Sequence, residues 1–287
     1  MLLILTRQLA RGRVVQKSGG RPSHLAGRGA TIPAMPTPFT HLVAAEHLLK
    51  DERIPPEQRA LLEGQRGAFL LGSVAADARP PGSKREDTHF YAYDKPINET
   101  PWRVMLRRFP ALGQANGAAQ QAFLAGYVAH LSMDEIWTIH MLEQHFVRHN
   151  WGAARSFRFV LLHALLIHMD ERDLTLIEPW QHAALAAAAP DGWLPFIDDL
   201  TLYEWRDFIA EQIRPGGHSQ TLAVFAPRIN KTVEELRAIL NSPQQMRPLW
   251  DNVPPEILVE VETRMYDHAR DQMVIYLNSP VEGGEED

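Results

Sequence analysis

The chain of 287 residues contains no cysteine, which removes disulfides, thiolate metal sites and cysteine nucleophiles together. A transition metal would have to sit on histidine and carboxylate, and 13 histidines are present. A positive balance is also missing: 29 Lys and Arg face 35 Asp and Glu, a formal net charge of -6. Proteins that track nucleic-acid backbones carry the opposite field, so no dedicated nucleic-acid surface is expected. No stretch approaches the roughly 20 apolar residues that span a bilayer. The short apolar opening, residues 1–5, is followed at once by Arg7, Arg11 and Arg13. A signal peptide has the reverse order, charge before a longer apolar region, so a cytoplasmic protein is expected.

Residues 1–34 are rich in arginine, hold no Asp or Glu and show no apolar period. Two readings are open: a disordered basic leader, or a mis-assigned start with translation from Met35. The abrupt onset of an amphipathic pattern at Met35 favours the second. From there to residue 213 the pattern is helical, with helices expected over 57–71, 102–109, 114–143, 153–169, 180–189 and 200–213. The aromatic run from His89 to Asp94 reads as a short, isolated strand. Residues 214–287 form a C-terminal helical extension with the acidic tail 282–287. With no hairpin signature, the expected fold is all-α, a single multi-helix bundle enclosing a buried His/Asp metal site.

That site is suggested by residues 121–140, where His130 and Asp134 stand four apart in an apolar run. On a helix this spacing stacks the two side chains on one face, and an imidazole beside a carboxylate suits one transition-metal ion. The competing reading is a hydrogen-bonded His–Asp pair in a helical core, since buried charges need partners of some kind.

Four segments in order then resemble the bacterial zinc-dependent phospholipase C family, whose fold is shared with zinc-dependent single-strand nucleases. Residues 38–42 around His41 resemble the family's first histidine. Residues 72–77, ending in Asp77, resemble its helix-ending aspartate. Residues 88–94, with His89, are similar to its His-Phe-Tyr-Asp-Pro-Asp segment. His130, Asp134 and His140 share the internal spacing of its long helix. The resemblance covers roughly residues 35–150. It implies two or three zinc ions: one on Asp77, His89, His130 and Asp134, a second bridged by Asp134 and taking His41, and a third on His140. It further implies hydrolysis of a phospholipid or other small phosphodiester by a metal-bound hydroxide, with Asp77 and Asp134 as the catalytic carboxylates.

In the family's secreted members the free N-terminus completes one metal site, whereas forty residues precede His41 here. No His-x-x-x-Glu follows His140 to complete the third site. The candidates are His145 with His149, which read as solvated at a polar helix end, and His163 with Asp170, seven apart on one helical face. His163 and Asp170 are the preferred pair. A second functional class remains open, a non-catalytic helical protein stabilised by zinc that binds partners through its C-terminal helices.

Overall fold

The computed structural model describes residues 37–278 except 81, 93, 94 and 153, which belong to the compact unit Pro33–Asp287. The basic leader, Asp94 and the acidic tail lie outside the described residues. The elements are α1 (Pro38–Lys50), α2 (Pro56–Gly64), α3 (Arg66–Ala75), α4 (Glu86–His89), α5 (Pro101–Arg108), a 3-10 turn (Pro110–Gly113) and α6 (Ala118–Ile136). A π-helical segment (Trp137–Arg148) continues α6, followed by α7 (Arg155–Leu174), α8 (Pro179–Ala186), α9 (Asp199–Ile213), α10 (Thr221–Arg228), α11 (Val233–Leu240), α12 (Pro243–Asn252) and α13 (Pro255–Asn278). No strand occurs among the described residues, so the fold is all-α.

Helix starts follow local chemistry. Proline opens α1, α2, α5, α8 and α12, where its missing N–H costs nothing and its fixed φ suits the first turn. Thr232 and Glu235 close a capping box on α11, and Asp198 accepts the Thr201 amide at the start of α9, each satisfying donors that a helix end leaves free.

The long α6 is the axis of the bundle. Residues 122–135 are buried along its whole circumference, with α3 and α13 as its principal neighbours. Contact with α3 is made backbone to backbone. A Cβ on Gly126 would strike the Phe69 carbonyl and the Ser73 amide, and one on Gly72 would strike the Phe123 carbonyl. Only glycine permits that approach, and it sets the end of α3 beside the middle of α6.

Three expectations change. The helix expected over 57–71 is two helices, because the backbone leaves helical geometry at Gln65 (φ -124°) directly after Gly64. The helix expected to reach residue 143 is α-helical only to Ile136 and then widens to π geometry, which alters the register of everything beyond Asp134. The aromatic run is no strand: His89 ends the one-turn helix α4, and Phe90 adopts a left-handed φ of 63°. That conformation strains a residue with a Cβ. The buried Phe90 is held there by ring contacts with the partly buried Phe109 and Phe196.

Candidate metal centre

Four elements deliver five ligand-type side chains to one point. His41 comes from α1, whose Thr40 hydroxyl ties that helix to Asp173 of α7 at 2.6 Å. Asp77 follows the end of α3, and His89 ends α4. His130 and Asp134 lie one turn apart on α6. Tyr127, one turn before His130, donates to the Thr88 carbonyl at 2.7 Å and fastens the His89 segment to the axis.

The cluster is tight. His89 Nε2 lies 3.5 Å from Asp77 Oδ1 and 3.4 Å from Asp134 Oδ2. His130 Nε2 lies 3.5 Å from the same Asp134 Oδ2 and 3.4 Å from His89 Nε2. The other oxygen, Asp134 Oδ1, faces His41 Nε2 at 3.4 Å, and the His41 and His130 rings stack with centroids 3.9 Å apart. Two ligands of one tetrahedral zinc, at bonds of about 2.1 Å, stand about 3.4 Å apart. The observed separations fit ligands around an ion.

The buried atoms give an independent test of fit. Both ring nitrogens of His41 and Asp134 Oδ1 are buried without a hydrogen bond. Buried polar atoms are normally satisfied, because an unmet one costs about 1–3 kcal/mol. Two such atoms facing each other at 3.4 Å fit a cation between them. Among the described residues, two compact ligand groups occur: His41, His130 and Asp134, and Asp77, His89 and His130.

Outer contacts set the imidazoles for ligation. His130 Nδ1 donates to the Ser73 carbonyl at 2.9 Å, one of the last carbonyls of α3, which no helical amide takes. Thr88 donates its hydroxyl hydrogen to the Arg85 carbonyl, so it accepts from His89 Nδ1 at 2.9 Å. In its neutral form each ring then turns an Nε2 lone pair inward, the arrangement typical of metal-binding histidines. Burial, with Arg85 behind it, lowers the His89 pKa. Burial, then the neighbouring His130, lowers that of His41. Both are accordingly neutral, as ligands must be. At His130 burial is outweighed by the charge of Asp134, then that of Asp77, which raises the pKa, so an ion there would displace a proton. Burial opposes the charge of Asp77 and Asp134, but the surrounding histidines and Arg85 outweigh it and hold both carboxyls below the ordinary range.

The structure does not bring His140, His163 and Asp170 into such a group. His140 is half-buried on the π segment, 3.3 Å from Gln144 Nε2, and burial, then the charge of Arg264 on α13, lowers its pKa. His163 spends its Nδ1 on the Phe159 carbonyl at 2.7 Å and sets its ring against Phe225. Asp170 accepts from Ser219. A seven-residue spacing returns to one helix face, yet it separates the two by about 10 Å along the axis, too far to share an ion. Sequence reasoning missed Arg85, whose guanidinium bonds Asp134 and stands 3.5 Å from Asp77 Oδ1. Its four-residue spacing from His89 was the available signal.

A buried cluster of histidine nitrogens and carboxylate oxygens on an all-helical frame defines a helical metalloprotein suited to zinc. Residues 40–188, just over half of the chain, match the family model described as zinc dependent phospholipase C, and the chain belongs to that hydrolase family. No curated protein and no solved structure gives a match.

Proposed function

We propose that this protein hydrolyses the phosphodiester bond of a phospholipid, or of another small phosphodiester, with two zinc ions. Asp77, His89, His130 and Asp134 would hold one ion, and His41 with Asp134 the other. One observation carries the reading: a single buried carboxylate, Asp134, turns one oxygen to His41 and the other to His89 and His130. Bound zinc supplies an acidified water and a positive clamp on the phosphoryl oxygens. The protein's share is to fix His130 and His89 in their ligand tautomer through Ser73 and Thr88, and to keep the three imidazoles and Asp134 buried from water. Asp77 lies on the open side, and its carboxylate is the group available there to take a proton from the attacking water. A zinc site that serves only stability closes on four ligands, whereas the ion of His41 and Asp134 would have two of them on this assignment and leave positions for water, which supports catalysis over the non-catalytic alternative, and Asp77 remains 21 % exposed. The test is hydrolysis of an aryl phosphodiester and of phosphatidylcholine by the purified protein before chelation, after it, and after zinc is restored. Loss and recovery of both activities are expected. A protein holding two zinc ions that cleaves neither substrate overturns the proposal.

A further inference from the structure

The side chains of the centre do not share solvent equally. Those of His41, His89, His130 and Asp134 are at most 1 % exposed, whereas Asp77 is 21 % and Arg85 13 % exposed. A substrate therefore meets the centre along the Asp77–Arg85 edge.

Arg85 has no place in metal ligation, because a guanidinium stays protonated and offers only donors. It nevertheless stands where a cation belongs. One terminal nitrogen bonds Asp134 Oδ2, the oxygen that faces His89 and His130, and the other lies 3.5 Å from Asp77 Oδ1. Tyr91 braces it, with its hydroxyl 3.4 Å from the nitrogen that bonds Asp134 and its ring centroid 5.8 Å from the guanidinium carbon. The Tyr91 hydroxyl is itself 3.1 Å from Thr138 Oγ1. In the metal-free protein Arg85 thus neutralises part of the charge of two carboxylates. Zinc ions would take those carboxylates and add positive charge beside the guanidinium, which pushes it away from them. It cannot go far, since it lies four residues before the ligand His89.

Two further arginines, Arg79 and Arg228, act electrostatically on one another in the neighbourhood of Asp77. Arg228, on α10 and outside the residues that match the family, has its pKa lowered by desolvation and then by the charge of Arg79, while Asp77 opposes the shift. Neither Arg79 nor Arg228 forms an ion pair with a carboxylate among the described residues.

We propose that Arg85 is the phosphate-binding residue of this centre: its fork neutralises Asp77 and Asp134 without zinc, and turns to the non-bridging oxygens of the substrate phosphate once zinc is bound. A fork of parallel donors matches two phosphate oxygens better than a lysine point charge does. The proposal rests on the zinc reading above, and its test keeps the two apart. Wild type, R85K and R85Q are loaded with zinc, assayed for two bound ions and native helicity, and titrated calorimetrically with inorganic phosphate. R85Q should weaken phosphate binding by about 10- to 100-fold, with R85K between it and wild type. In the metal-free protein R85Q should also bind zinc more tightly, because the competing internal cation is gone. Unchanged phosphate affinity in R85Q with both ions in place overturns the inference alone, as does a zinc-loaded wild type that ignores phosphate. Should R85Q fail to fold, R85K decides, and phosphate affinity equal to wild type overturns the role of the fork. A wild type that holds no zinc overturns the functional reading and this one with it.

Discussion

Replacing Asp134 by asparagine keeps the shape of the side chain and removes one negative charge where both ligand groups meet. The carboxylate faces His41 with one oxygen and His89 and His130 with the other, so both ions of the proposed pair lose an anionic ligand in one step. One asparagine atom is now an N–H donor, which repels a metal and cannot replace a ligand oxygen. Breaking one side of a buried charge pair costs about 3–5 kcal/mol. At 1.4 kcal/mol per tenfold, that is about two to three-and-a-half orders of magnitude in zinc affinity. The assay is zinc content by elemental analysis after dialysis at fixed free zinc, beside wild type. D134N should lose more than one ion's worth. The metal-free variant should also melt lower, because Arg85 loses the carboxylate it bonds. Wild-type zinc content in D134N at the same free zinc refutes the bridging geometry.

Three further outcomes follow from the structure. H163A should cost about 1–3 kcal/mol in urea melts through its lost backbone bond and its contact with Phe225, with zinc content unchanged; loss of an ion would make His163 a ligand. G126A should destabilise the protein by about 3 kcal/mol or more, since the added methyl meets α3 backbone and not a yielding side chain; it should weaken zinc binding as well, by moving Ser73 from His130, and a native melting temperature contradicts this packing. Burial, against the hydrogen bond from Ser219, pushes the Asp170 carboxyl up from its ordinary 3.8 to about 6. Between those values the folded state keeps a proton that the unfolded state has lost, so stability falls as pH rises through that window and stays lower above it. D170N should therefore gain up to about 3 kcal/mol at pH 7.5 and nothing below pH 4. Equal stability of the two proteins at every pH sinks the assignment.

Much of the helical plan is legible in the apolar periodicity, and the His130–Asp134 pair is visible as two polar residues on one face of an apolar helix. What escapes is set by tertiary packing. His89 lies in an aromatic run whose composition favours a strand, and only the ring contacts of Phe90 and the Tyr127 bond to Thr88 show why it is a single helical turn. The widening after Ile136 leaves no mark in a periodicity read at 3.6 residues, so the orientation of His140 could not be read from its distance to Asp134. His163 and Asp170 share a face, but face alone says nothing of the separation along the axis. Arg85 lies in a Pro- and Gly-rich loop, where arginine ordinarily reads as solvated. Its place between two aspartates follows from the α3–α6 approach that Gly72 and Gly126 permit.

The central claim is that Asp134 joins two zinc ions at one open centre. Anomalous diffraction at the zinc edge from crystals of the zinc-loaded protein tests it most directly. The account predicts two peaks about 3.5–4 Å apart, one among Asp77, His89, His130 and Asp134 and the other between Asp134 and His41. A single peak closed on four protein ligands, or zinc bound away from Asp134, contradicts it.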